Sequence, residues 1–223
     1  MFPLTCDAVL FDLDGVLVDS RAVVERTWAR WGARHGLDGR HIAQTAHGRR
    51  SLDTVRSMAP WTDALAEVRW LESAELQDTD GLVALPGAKR RLAEVPARRC
   101  AVVTSGGRAL ARLRMNAAGL EMPPVLVAAE DVAAGKPAPE GYLLAAAQLG
   151  FAPQRCVVIE DAAPGIAAGL AAGATVIAIT TTFGPSNLSA AHVTVESLAS
   201  LRIQNDDTGL RIGAAPVGRE TLR

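Results

Sequence analysis

Asp7-Ala-Val-Leu-Phe-Asp-Leu-Asp-Gly-Val-Leu-Val-Asp-Ser20 is the stretch that decides the fold. Ala8 to Phe11 is an unbroken apolar run, the pattern of a strand buried on both faces. Two carboxylates, Asp12 and Asp14, stand two residues apart at its carboxyl end, and Gly15 follows. Alternation along an extended chain puts both acids on one face. Like charges at that spacing repel each other and lose hydration when buried, so a purely structural role does not account for them. A divalent cation would neutralise them. In open α/β sheets, ligands bind just beyond the carboxyl ends of the strands. The segment therefore points to metal-assisted chemistry with a carboxylate nucleophile.

Outward from this strand the same grammar repeats. Short aliphatic runs recur at Arg99–Val103, Val125–Val127, Cys156–Ile159, Thr175–Ile179 and, weakly, His192–Val195. Helical patterns lie between them at Gly87–Val95, Arg108–Ala118, Pro139–Leu149 and Pro164–Ala172. Alternation of this kind predicts a doubly wound α/β fold with a parallel sheet. Residues 16–83 break the alternation. They hold all four tryptophans and amphipathic helix patterns without a convincing strand, so they are expected to form an inserted, all-helical cap on a core of residues 1–15 and 84–204. Arg202–Gln204 and Leu210–Ile212 around the polar turn Asp206–Gly209 suggest a small hairpin within a tail, 205–223, that frays from Ala214 onward.

Composition narrows the function classes. Hydrophobic residues are 49% and aromatic residues 4%, so the core must be aliphatic. A net charge of -1 gives no reason to expect nucleic acid or an anionic membrane as partner. Cys6, Cys100 and Cys156 lie in or beside apolar runs without CxxC spacing, and read as small buried hydrophobes of a reducing, cytoplasmic compartment. No signal peptide is visible: Asp7 interrupts the early apolar run and the first basic residue is Arg21. Gly165, Gly169 and Gly173 have the spacing of a membrane dimer face. Pro164 fits a first helical turn and Gly173 a helix end, so a small-residue helix packed against the sheet is the better reading. A monomer or weak homodimer is expected.

Three further features carry chemistry. Ala101-Val-Val-Thr-Ser-Gly-Gly107 is a strand ending in two hydroxyls, Thr104 and Ser105, before a helix start. That arrangement suits an anion, although a Thr cap with a glycine turn is common by itself. Lys136, one of only two lysines, is pinned between Gly135 and Pro137. It is either a solvated loop residue or a fixed charge for phosphate or carboxylate. Glu160 and Asp161 end the strand that begins at Cys156. They could cap the next helix or, with Asp12 and Asp14, offer the oxygen ligands that Mg²⁺ requires.

Taken in order, these residues resemble the haloacid dehalogenase superfamily across about residues 5 to 200: Asp12-Leu-Asp-Gly15 as its first motif, Thr104 its second, Lys136 its third, Glu160-Asp161 its fourth. The cap resembles that of the β-phosphoglucomutase-like branch. His47-Gly-Arg-Arg50, Thr79-Asp-Gly81 and Leu85-Pro-Gly87 look like its sugar and polyol phosphatases. The resemblance implies a Rossmann-like core and a Mg²⁺-dependent phosphomonoesterase acting on a small phosphate ester. Asp12 would form an aspartyl-phosphate, and Asp14 would serve as general acid and base. Asp12, the Asp14 carbonyl and Asp161 would hold Mg²⁺, with Glu160 behind them. Thr104, the Ser105 backbone N–H and Lys136 would bind the phosphoryl oxygens.

Within the superfamily, Asp14 argues against a dehalogenase, which needs no proton shuttle. A phosphonate hydrolase needs a cap lysine, and no lysine precedes Lys89. A sugar phosphate mutase uses a cap lysine too, but Arg49 and Arg50 could substitute, so that alternative stays open. A catalytically silent binding module on the same fold is the alternative of another class. The expected specificity residues are His47, Arg49 and Arg50, the arginines projecting over Asp12. The tryptophans are expected to pack the cap.

Overall fold

The computed structural model describes residues 3–206 and 209–214. The chain begins with strands β1 (Leu4–Cys6), β2 (Ala8–Phe11) and β3 (Val18–Asp19). Four helices follow: α1 (Arg21–His35), α2 (Gly39–Ala46), α3 (Ser51–Met58) and α4 (Ala64–Leu76). Then come β4 (Val83–Ala84), α5 (Ala88–Glu94), β5 (Cys100–Val103), α6 (Arg108–Ala117) and β6 (Val125–Val127). The remainder is α7 (Glu140–Leu149), β7 (Cys156–Glu160), α8 (Ala163–Ala171), β8 (Thr175–Ile179), β9 (Val193–Val195), β10 (Leu201–Asp206) and β11 (Gly209–Ala214).

The main sheet is parallel, in the order β6-β5-β2-β7-β8-β9. From β2 the chain builds outward on one side through β5 and β6, then on the other through β7, β8 and β9. The carboxyl end of β2 is thus the switch point, where a crevice opens. All four residues of β2 are fully buried. Val9 and Phe11 join one core cluster; Ala8 and Leu10 join the other, beneath α7 and α8. Alanines on those helices, including Ala145, Ala146 and Ala168, let them lie close to the sheet. In α8, a side chain at Gly165 would collide with the Glu160 carboxylate, and one at Gly169 would press on Val176 and Val158. The glycine spacing therefore serves helix–sheet contact. No helix of the described residues is long and apolar enough to cross a membrane.

The four inserted helices have their own cluster, built on Trp28, Trp31, Ile42, Val55 and Leu71. Asp38 and Asp63 cap α2 and α4 by accepting from backbone N–H groups of the first turn. Trp28, Trp31 and Trp70 pack as expected, whereas Trp61 is 66% exposed. A short antiparallel ribbon, β3 with β4, joins cap to core. The sequence pattern did not reveal it, because two-residue strands carry no period.

The hairpin at the C-terminal end is not a loose tail. β10 and β11 pair with each other, and β11 pairs with β1. Ile203, Leu210 and Ile212 are buried in the cluster that holds Val9 and Phe11. Of the expected frayed segment, only Ala214 is described; residues 215–223 lie outside the described residues.

All three cysteines are free and buried. Burial pushes the thiols of Cys6 and Cys100 up to about 12 and that of Cys156 to about 11. Only thiolates are reactive. Ellman's reagent at pH 8 is therefore expected to label none of them in the native protein and all three in denaturant. Rapid labelling of the folded chain would contradict this.

Candidate active site

The site is built on the switch point. The Asp12 amide donates to the Ile159 carbonyl at 3.0 Å, extending the β2–β7 ladder by one residue and setting Asp12 beside Glu160. Lys136 reaches in from the loop before α7. Its Nζ donates to Asp12 Oδ1, to Glu160 Oε1 at 2.6 Å and to the Val103 carbonyl at 3.2 Å. The Tyr142 hydroxyl donates to Glu160 Oε1 at 2.6 Å, and the Asp161 amide to Glu160 Oε2 at 3.1 Å. Both Glu160 oxygens are thus engaged inside the protein.

Ligand atoms of Asp12, Glu160 and Asp161 lie within 4.8 Å of one another. Asp161 Oδ2 faces His47 Nε2 at 2.9 Å, while Asp161 Oδ1 is buried with no hydrogen-bond partner. Among the described residues it is the only carboxylate oxygen so stranded. A buried acceptor without a donor is destabilising by about 1–3 kcal/mol, more when charged. Oxygen donors of this kind suit a hard divalent cation. Gly15, at φ +83°, lets the turn pass directly over this carboxylate; a Cβ there would overlap Asp161.

The charge balance agrees. Burial, then Glu160, pushes the Asp12 carboxyl well above its ordinary range, and Lys136 only partly opposes them. Burial alone would lower the Lys136 pKa, but Asp12 and Glu160 outweigh it and keep the ammonium charged. For His47, burial likewise lowers and the Asp161 contact raises, with a net rise. One lysine does not balance three clustered acids.

Asp14 stands apart from that cluster. Its Oδ1 accepts from Ser20 Oγ at 2.7 Å and its Oδ2 from Arg114 at 2.7 Å. A cavity of about 750 Å³ between cap and core is lined by Asp12, Asp14, Thr104 and Ser105 below, and by His47 and Arg49 above. Thr104 Oγ1 accepts from the Gly106 amide at 3.0 Å, leaving its own proton for another partner. Ser105 Oγ donates to the Gly48 carbonyl of the cap at 3.0 Å.

The cap residues divide. The guanidinium of Arg49 has no hydrogen bond or ion pair among the described residues and faces the cavity. That of Arg50 also borders it, but does not project freely over Asp12 as expected. It binds Asp53 at 2.8 Å and 3.1 Å and the carbonyls of Val132 and Ala133, each at 3.1 Å. Arg50 therefore braces the loop that leads to Lys136. Four participants escaped the sequence pattern: Ser20, Glu75, Arg114 and Tyr142. Two had left a trace. Tyr142 is the only tyrosine of the chain. Arg114 falls on the same helical face as Leu110, Ala111 and Met115, which is an apolar face.

Residues 6–173 match the haloacid dehalogenase-like hydrolase family. The chain belongs to that family. It is 41% identical to hexitol phosphatase A of Escherichia coli over 92% of this chain and 98% of that protein. It is 36% identical to glycerol-1-phosphate phosphohydrolase 2 of Saccharomyces cerevisiae, over 81% and 77%. A haloacid dehalogenase family hydrolase from Deinococcus radiodurans, solved with bound phosphate and sodium, is 34% identical with a TM-score of 0.62, over 87% of this chain and 92% of that one. β-Phosphoglucomutase from Clostridium difficile shares the fold, with a TM-score of 0.78 at 22% identity, over 89% and 94%. The Escherichia coli and Saccharomyces cerevisiae relatives are named as phosphatases, and the present chain is an enzyme of that type.

Proposed function

We propose that this hydrolase is a Mg²⁺-dependent phosphomonoesterase for small sugar or polyol phosphates, acting through an aspartyl-phosphate on Asp12. One observation carries the reading: the two acids of one turn have opposite surroundings. Asp12 sits among candidate metal ligands and Lys136, whereas Asp14 faces the cavity outside that cluster. Divergent environments of paired carboxylates assign divergent roles.

An Asp12 oxygen attacks phosphorus, the bond from phosphorus to the ester oxygen breaks, and Asp14 gives its proton to the departing alcohol. Asp14 then takes a proton from water, which attacks phosphorus and restores Asp12 with release of phosphate. Thr104 and the Ser105 backbone N–H hold the phosphoryl oxygens where charge is greatest, and Lys136, held against Asp12, adds positive charge beside them. Asp12, the Asp14 carbonyl and Asp161 would hold the divalent cation, with Glu160 behind them. Bound there, it supplies charge neutralisation between carboxylate and phosphate. The names of the relatives and the open cavity around Arg49 support a hydroxylated substrate.

The test follows phosphorus with Mg²⁺ present. Glycerol phosphate, hexitol phosphates and hexose phosphates are incubated with the protein and read by ³¹P NMR. Growth of the inorganic phosphate signal is expected. Interconversion of hexose 1- and 6-phosphates without net phosphate release would replace this reading with the mutase. No turnover of any ester would replace it with a silent module.

A further inference from the structure

We propose that Arg114 is a positioning residue that ties the Asp14 carboxylate to the cap through Glu75, so that the general acid is correctly placed only when the cap covers the site. This rests on the acid–base role given to Asp14 above.

Arg114 belongs to core helix α6 and is 5% exposed; Glu75 belongs to cap helix α4 and is 6% exposed. One guanidinium nitrogen donates to Asp14 Oδ2 at 2.7 Å and the other to Glu75 Oε2. The second Asp14 oxygen is taken by Ser20, the residue that leads into α1. Both oxygens of the carboxylate are therefore held, one from the entrance to the cap and one by a group shared with the cap's last helix.

Stability does not explain the arrangement. Burying the Arg114 guanidinium with the Glu75 carboxylate is costly, and apolar residues of similar size often serve as well or better. The neighbours of Arg114 on its helical face, Leu110, Ala111 and Met115, show what such a replacement would look like. What the ions provide is direction. A guanidinium is planar, with its donors in a fixed fork. Fixing one prong on Glu75 therefore fixes where the other prong points. If α4 moves away with the cap, Arg114 loses that anchor and Asp14 loses its aim.

The experiment compares two esters in the full-length protein with Mg²⁺. Glycerol phosphate has a leaving group that needs a proton; p-nitrophenyl phosphate has one that does not. Arg114→Met is expected to lower kcat for glycerol phosphate by about a hundredfold, the scale of a 1 Å misplacement. Phosphorylation by p-nitrophenyl phosphate should fall by less than about tenfold, since acid assistance contributes little there. KM should change little for either. Glu75→Gln should shift both substrates in the same sense but less. The double variant should be no worse than Arg114→Met alone, as for two members of one network. Equal losses for both esters, or additive losses in the double variant, would show a merely structural ion pair and overturn the proposal. Circular dichroism and melting check the fold; should Arg114→Met fail to fold, Glu75→Gln alone decides. Asp14→Asn is the control. If it discriminates between the esters and the Arg114 and Glu75 variants do not, only the positioning role falls. If Asp14→Asn treats both esters alike, the acid–base role of Asp14 falls, and this proposal with it.

Discussion

Asp12→Asn is expected to lower phosphate release by roughly five to six powers of ten, the scale seen when a covalent nucleophile is removed. The fold should survive. The Asp12 backbone bond to Ile159 does not involve the side chain, and Lys136 retains Glu160 and the Val103 carbonyl. The melting temperature should hold or rise, because burial and Glu160 already disfavour the ionised Asp12 carboxyl. Steady-state phosphate release and a thermal melt check both halves. Turnover near that of the unaltered protein would remove Asp12 from the mechanism.

The second large effect concerns the cation. Excess chelator should stop turnover. Mg²⁺ should raise the melting temperature, since a ligand that binds only the folded state at a hundred times its Kd stabilises by about 2.7 kcal/mol. Asp161→Asn should abolish that rise, because Asp161 carries the unpartnered oxygen. The pH dependence has a definite sign. In the metal-free protein the Asp12 pKa is raised, so between the ordinary carboxylate range and that raised value the folded state binds the extra proton. Metal-free stability therefore falls as pH rises through this window. A cation displaces the proton, so the Mg²⁺-induced shift should grow with pH. Melts at pH 5 and pH 8 with and without Mg²⁺ test this. Full activity in excess chelator, or a shift that shrinks as pH rises, would sink the assignment.

Much of this was legible in the chain because it is local. An apolar run followed by two acids gives both a buried strand and its chemistry, and β2 follows Ala8–Phe11 without adjustment. The helices after Gly107 and around Pro164 announce themselves by glycine and proline at their ends. What escaped depends on distant partners. β1 exists because β11 pairs with it, and nothing in Leu4–Cys6 states that pairing. Arg50 looked like a substrate ligand on charge alone; its binding to Asp53 and two carbonyls becomes visible only once α3 lies against the 132–133 loop. Arg114 belongs to no motif in a chain rich in arginines. Its periodicity placed it among apolar neighbours, and the acids that make that position tolerable come from Asp14 and Glu75, far away in sequence.

The pairing of β1 with β11 also bears on how the chain is made. Synthesis proceeds from the N-terminus, so Leu4–Cys6 emerges long before its partner Gly209–Ala214. β2 likewise waits for Cys100–Val103 and Cys156–Glu160 before it has a neighbour on either side. The cap's cluster, from Trp28 to Leu71, is complete much earlier. During translation β1 and, for a shorter time, the aliphatic strand β2 that leads to Asp12 therefore remain unpaired beside an already assembled helical unit. Loop closure over such separations is slow, and unpaired apolar strands are the segments most exposed to aggregation. A chain cut short before Gly209 would retain the whole acid cluster yet leave β1 without its partner. Yield of soluble protein, rather than catalytic competence, is the property such a truncation would damage first.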